Sequence, residues 1–429
     1  MSPLRKCVGF WVIVLCLLPR LAKAEELPPR FTLQQLLQEA LANNPQLKAS
    51  HSGWEAAKFR ISQARSLEDP MIGADLEGIP RGKADLSEYN DIEYMVSQVI
   101  PFPGKLSLKG KIAAQEARMV YESYHSAEQK LISDVKSAFE KLYLVNHSIE
   151  VLEHHQNIVE QFSKSAEIRY TSGMASQQDI LKAHVELAKM TNHVLTLQQE
   201  RQTAVARLNS LLNRPINSPL EISVEEAKKP VATDWDPIEA LALSHRPDLL
   251  VMQIEVEKQK SSVSLAKLGY LPDFFTRVEA REFSGEGRLR EYDTFLGVNL
   301  PIWFWGKQRS EVKEKQAMAS EAAQAYAAMK NMVLLEVKED LVQVQTKERL
   351  VQLYQTAVLP QTEEALRASR VGYEAGKVDF LNLLDADRSL REFELEYYSA
   401  VSEYNIALAD LERAMGVSLR EVDRVDQTK

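Results

Sequence analysis

From Lys111 to Ser172 the chain runs for 62 residues without a glycine or a proline. Counted from Gly104, where helical composition begins, the stretch is about 65 residues, or roughly 95–100 Å of helix at 1.5 Å per residue. No ordinary globular core requires a helix of that length. Within it Val135, Ala138, Leu142, Val145, Ile149 and Leu152 step by three and four, the spacing of a left-handed coiled-coil seam.

The chain turns where this run ends, and the turn recurs. Tyr170-Thr-Ser-Gly173-Met174-Ala-Ser-Gln-Gln-Asp179-Ile-Leu181-Lys182-Ala183 returns as Tyr373-Glu-Ala-Gly376-Lys377-Val378-Asp379-Phe-Leu-Asn382-Leu-Leu384-Asp385-Ala386, with Tyr, Gly, Leu and Ala at a constant offset of 203. Earlier, Ala40-Leu-Ala-Asn-Asn-Pro45 returns as Ala242-Leu-Ser-His-Arg-Pro247 at 202. A period this long marks an internally duplicated fold. The repeats are assigned to residues 25–212 and 237–416, with a proline-bearing linker at 213–236 and a tail at 417–429.

Each repeat carries the same parts. A capping box, Thr32 with Gln35, opens a short helix, and a second helix of roughly 23 residues starts at Pro45 and ends near Leu67. Together with the helix expected from Gln177 to Leu212, it nearly equals the long helix in length. Two shorter helices stacked end to end therefore lie antiparallel beside it. In the second repeat Asp236-Pro237 reads as N-cap and first helical residue, and Pro360 predicts a kink that the first repeat lacks.

Two stretches change to period two. Ile72, Ala74, Leu76 and Ile92, Tyr94, Val96 alternate with polar residues in a hairpin at 71–100; Phe274 to Ala280 and Tyr292 to Leu300 do so in another at 272–301. Each strand is read as about ten residues, enough to cross a bilayer when tilted. Four strands cannot close a barrel, and an open sheet would expose unpaired backbone in hydrocarbon. Closure with other subunits is required, and three chains give twelve strands.

Residues 1–24 read as a secretory signal: Arg5 and Lys6 precede the apolar run Val8–Leu18, and Ala22-Lys-Ala24 supplies the cleavage site. Both cysteines, Cys7 and Cys16, fall inside it. The mature chain is therefore expected to have no disulfide, no thiolate metal site and no acylated cysteine. Its balance of 48 basic to 61 acidic residues argues against nucleic acid as a partner. The histidines, His154 and His155 included, read as dispersed over helical faces. No phosphate loop, framed metal site or catalytic constellation is visible, so the chain is read as neither enzyme nor cofactor carrier.

These residues resemble the TolC-like family of outer-membrane efflux proteins. The carrying motifs are Ala-Asn-Asn-Pro45, the junctions Pro101-Phe102-Pro-Gly104-Lys105 and Pro301 to Lys307, and the two Tyr-x-x-Gly turns. Leu359-Pro-Gln-Thr-Glu-Glu and the stretch from Tyr373 to Ala386 look most like the heavy-metal branch (cobalt–zinc–cadmium, copper–silver). The resemblance implies a homotrimer in the outer membrane of a Gram-negative cell, mainly α-helical, with a twelve-stranded barrel continuous with a periplasmic helical tunnel. It implies a periplasmic adaptor and an inner-membrane, proton-driven pump as partners. It also implies an aperture at Asn382 and Asp385, with Asp179 and Lys182 as first-repeat equivalents, Asn382 standing where the family has a carboxylate.

Alternatives stay open for single residues. Asp179 and Asp379 also suit helix caps, and Asp385 also suits a solvated or Arg388-paired charge. Tyr170, Gly173, Met174, Tyr373, Gly376, Lys377 and Val378 form the turns and, through exposed Met174, Lys377 and Val378, the expected adaptor contact. Phe102, Trp303 and Trp305 suit either a membrane girdle or packing at a strand-to-helix junction. A protein-secretion duct and a soluble periplasmic coiled-coil scaffold are the alternative functions.

Overall fold

The computed structural model describes residues 30–79, 89–223, 234–283 and 287–418. The expected signal, most of the tail and parts of the linker and of both hairpin loops lie outside them. A two-residue strand β1 (Arg30–Phe31) leads into α1 (Leu33–Asn43), opened by the Thr32–Gln35 capping box, and α2 (Pro45–Arg65). Strands β2 (Met71–Glu77) and β3 (Asp91–Ile100) precede α3 (Lys105–Thr171) and α4 (Gln177–Leu211). At 67 residues, α3 is about 100 Å long.

The second repeat follows the same order. Strand β4 (Glu221–Ile222) pairs in parallel with β1, so the linker is partly structured. Then come α5 (Trp235–His245), α6 (Pro247–Leu268), β5 (Asp273–Phe283), β6 (Leu289–Asn299), α7 (Lys307–Leu353), α8 (Leu359–Glu374) and α9 (Phe380–Met415). The expected cap at Asp236 is corrected: Asp234 occupies that place and Pro237 is the third helical residue. Its missing N–H still falls in the first turn, where no intrahelical partner is lost. Strand β2 is also shorter than expected, at seven residues. It ends where Asn90 donates its backbone N–H to Glu77 and Gly78 takes a left-handed φ of 78°.

Both α2 and α4 pack along α3, as their lengths require, and α3 also carries α6 and α9 on its remaining faces. Of the seam, Val135, Ala138, Leu142, Val145 and Leu152 are buried and Ile149 is partly buried. Each repeat builds its own equatorial core, one around Leu36, Leu142 and Leu208, the other around Ile238, Val337 and Leu411. A matching tie fixes each corner to the end of the last helix. Asn44 Nδ2 donates to the Leu211 carbonyl at 3.0 Å, and Arg246 Nη1 donates to the Ala414 carbonyl at 3.0 Å.

The change of offset from 202 to 203 has a structural form. Lys105 and Lys307 begin the long helices at offset 202, and Thr171 and Glu374 end them at 203. The extra residue is absorbed by a π-helical turn, Tyr354–Val358, immediately before α8. The irregularity expected at Pro360 thus takes the form of a wider turn just before it. Pro360 lacks an N–H and its ring crowds the carbonyl four residues back, and the wider turn gives that carbonyl room.

The four long strands make one antiparallel sheet in the order β2-β3-β5-β6. One face carries Ile72, Tyr94, Val96, Val278, Tyr292, Leu296 and Val298, all exposed. The other carries Asp75, Glu93, Glu279, Arg281 and Asp293. The sheet is fixed to the helices at Lys105, whose Nζ lies 2.8 Å from Asp273 Oδ1, while the Phe102 N–H donates to the same carboxylate at 2.7 Å.

Deleting Ala357 from the π turn should leave the thermal midpoint, followed by circular dichroism, at or above that of the wild type. Deleting Ala322 from regular α7 should lower it strongly. Each lost residue rotates a helix by about 100°, and only the π turn can absorb that without displacing Val333, Val337 and Leu341 from the core.

Candidate functional site

Two turns close the free ends of the helical hairpins, and their backbones match. Gly173 and Gly376 have φ of 74° and 72°. Met174 donates its N–H to Arg169 O at 2.8 Å, and Lys377 donates to Gly372 O at 2.8 Å. This is the six-residue closure that places a left-handed residue just past a helix end, hence glycine. The following helices are capped: Ser176 and Asp179 form a reciprocal box at α4, and Asp379 accepts the Asn382 N–H at 2.9 Å at α9.

The side chains around the matching backbones differ. Tyr170 is exposed, whereas Tyr373 is 4% exposed, packed edge-on against Phe380. Arg169 at the end of α3 straps the two tips together. Its Nη1 donates to Tyr373 O at 2.9 Å and Glu374 O at 3.2 Å, and its guanidinium lies 4.9 Å from the Tyr373 ring. Gly372 stands at the matching position of the second repeat, so the strap has no counterpart. Burial raises the Tyr373 phenol's pKa, Arg169 opposes that, and Asp179 adds to it.

A groove of about 760 Å³ separates the tips, lined by Gly173, Met174, Asp179, Lys182, Tyr373, Gly376, Lys377 and Val378 among others. Most of the residues expected at the tips thus meet in one place. Val378 is half-buried rather than exposed, because its side chain fills the space where Gly372 has no Cβ. Asn382 and Asp385 do not line the groove. They sit three apart on α9, both exposed, with Asp385 Oδ1 3.4 Å from Arg388 Nη1.

Sequence reasoning missed a buried charged layer just above the tips. Continuing the three-four steps of α3 from Leu152 lands on His155, then Val159, Phe162 and Ala166, so His155 is a seam residue and not a surface one. It has no exposed area. Its Nδ1 lies 2.8 Å from Asp387 Oδ1 and its Nε2 3.1 Å from Glu394 Oε2. A neutral imidazole has one N–H, so donating to both carboxylates requires the cation. Burial alone would lower the imidazole's pKa, but the hydrogen bonds to Asp387 and Glu394 outweigh it and lift it to about 9. A raised folded-state value means that the layer's contribution to stability is complete below about pH 6.5 and is lost as pH rises through about 9.

From there the charges alternate. Arg391 lies 3.7 Å from Asp387 and 2.8 Å from Glu186 on α4, and Arg388 is 3.0 Å from Glu186. Burial works to raise the Glu186 pKa, and the two arginines overcome it and lower it.

At the opposite end, Trp303, Phe304 and Trp305 are at least half exposed, in a row just after β6. Phe102 is partly buried and stacks on Phe274. The polar face of the sheet brings Asp75, Glu77 and Glu93 together, and Glu93, Glu279 and Asp293, each trio with carboxylate oxygens within 4.8 Å of one another. Among the described residues no helix is long and apolar enough to cross a membrane.

The chain matches the family model described as outer membrane efflux protein over residues 36–214 and 240–417. It is 20% identical to the cobalt-zinc-cadmium resistance protein CzcC of Cupriavidus metallidurans, over 90% of each chain. It is 23% identical to the outer membrane protein TolC of Escherichia coli, over 91% of this chain and 83% of that one. A crystal structure of CusC superposes with a TM-score of 0.77 at 17% identity, covering 90% of this chain and 92% of that one. With the duplicated hairpins, the paired tips and the apolar-faced sheet all inside the matched ranges, the chain belongs to the outer membrane efflux protein family.

Proposed function

We propose that three copies of this chain close their sheets into a twelve-stranded barrel continuous with a helical tunnel, a passive exit duct for efflux. One observation carries the reading: an open sheet with an exposed apolar face is joined directly to hairpins about 100 Å long. The edge strands β2 and β6 run antiparallel to each other, so β6 of one protomer can pair with β2 of the next in the same up-and-down order. The aromatic row after β6 then lies at a membrane–water interface.

The outer helices fit the same assembly. Leu181, Val185 and Leu195 on α4 and Met332, Leu335 and Val342 on α7 are exposed at roughly helical spacing. A neighbouring protomer covers such stripes. The tip groove is the docking place for a periplasmic adaptor, which links the duct to a proton-driven inner-membrane pump. Asn382 and Asp385, multiplied by three-fold symmetry, line the aperture.

The cargo is metal cations or small toxic compounds. The likeness to CzcC, named for cobalt, zinc and cadmium resistance, supports the first. The carboxylate-rich face of the sheet, turned to the lumen, favours cations, although water in a wide pore screens it.

Fractionation should place the mature protein in the outer membrane; recovery wholly in the soluble periplasm would rule out the duct. Asp385→Ala should raise single-channel conductance in planar bilayers and admit vancomycin-sized antibiotics, by removing an aperture side chain and its tether to Arg388. Unchanged conductance would take Asp385 out of the aperture.

A further inference from the structure

The layer around His155 interrupts an otherwise apolar seam. Below it lies the tip core of Val159, Phe162, Phe380 and Leu383, and above it the cluster of Leu152, Val194 and Leu197. A buried charged layer in a seam specifies register, because sliding one helix past another strands its charges without partners. Here it ties α9 of the second repeat to both long helices of the first, α3 through His155 and α4 through Glu186.

We propose that His155 is a positioning residue of the exit gate: held by Asp387 and Glu394, it latches α9 in register, and the chain Arg391–Glu186–Arg388 carries that hold to Asp385. The proposal rests on the reading of Asp385 as an aperture residue only for its last link.

The latch occurs once, between the repeats, and has no symmetric copy. At offset 203 the positions of His155, Glu186, Asp387 and Arg391 hold Val358, Ser389, His184 and Ala188, which cannot rebuild it. The layer therefore holds α9 against the first hairpin at one place only, and opening is a movement of the second hairpin away from it. The titratable groups facing the imidazole are Asp387 and Glu394, with the His154 ring edge-on at 5.6 Å; behind them lie Arg391 and then Glu186 with Arg388 and, at 3.9 Å, Lys189. Carboxylates and guanidinium groups keep their charge between pH 7 and 10. Over that range the imidazole is the member of the layer that changes, and losing its proton removes one of its two hydrogen bonds.

The test is single-channel recording of the purified full-length channel in planar bilayers from pH 7 to 10. The wild type should pass from low to high conductance with a midpoint near pH 9. Asp387→Asn should move that midpoint down by about one unit or more, since a lost carboxylate no longer favours the cation. His155→Gln should occupy the high-conductance state about tenfold more often at pH 7 and show no step. A wild-type channel flat across this range overturns the latch, even if no variant folds; so does a His155→Gln channel that keeps the step. If Asp385→Ala conducts like the wild type yet still opens near pH 9, the latch stands and the aperture reading fails. If Asp385→Ala conducts more but the wild type has no pH step, the aperture reading stands and the latch fails.

Discussion

A β-sheet with one oily face and two unpaired edges is not a stable object in hydrocarbon. Each unsatisfied backbone N–H or C=O costs several kcal/mol there, and β2 and β6 present seven and eleven residues of edge. A single protomer cannot offset a penalty of that size with the apolar side chains on its face. In the assembly we propose, other copies of the chain remove it by continuing the ladder. The helices leave the sheet at junctions pinned by Lys105 and Asp273, so a ring of strands closed in that way would dictate a closed ring of helices.

Duplication supplies the geometry and divergence supplies the behaviour. The two tip turns share their φ angles and hydrogen bonds, and both corners are tied to a last-helix carbonyl, though by Asn44 in one repeat and Arg246 in the other. What differs is concentrated in the second hairpin and its partners. The π turn lies there, Tyr373 is buried where Tyr170 is not, and Arg169 grips a helix end that has no arginine to return the contact. The two hairpins are thus alike in shape and unequal in how firmly they are held.

Much of this was legible in the sequence because periodicity is a strong signal over long elements. A 62-residue run without glycine or proline leaves little but a helix, and the turn glycines need left-handed geometry that other residues resist. The offset change from 202 to 203 was equally visible, but a single extra residue does not say whether it becomes a kink, a loop or a π turn. That depends on where Pro360 forces the ladder to break. The charged layer escaped for another reason. His155 lies in phase with the seam, yet its partners Asp387 and Glu394 are more than 230 residues away, and only tertiary structure brings them to it. The short β2 and the cap at Asp234 show the familiar limit at element ends, where one or two hydrogen bonds decide the boundary.

Strand pairing between protomers is the central claim and can be measured directly. The only cysteines in the sequence, Cys7 and Cys16, lie in the expected signal, so an engineered pair reports without background. Cysteines placed on the apolar face at Ala74 of β2 and at Tyr292, Thr294 or Leu296 of β6, singly paired and oxidised in intact membranes, sample neighbouring registers of the seam. At least one pair should give a ladder that stops at the trimer. A ladder that stops at the dimer, or bonds that form only within one chain, would contradict a barrel closed by three copies.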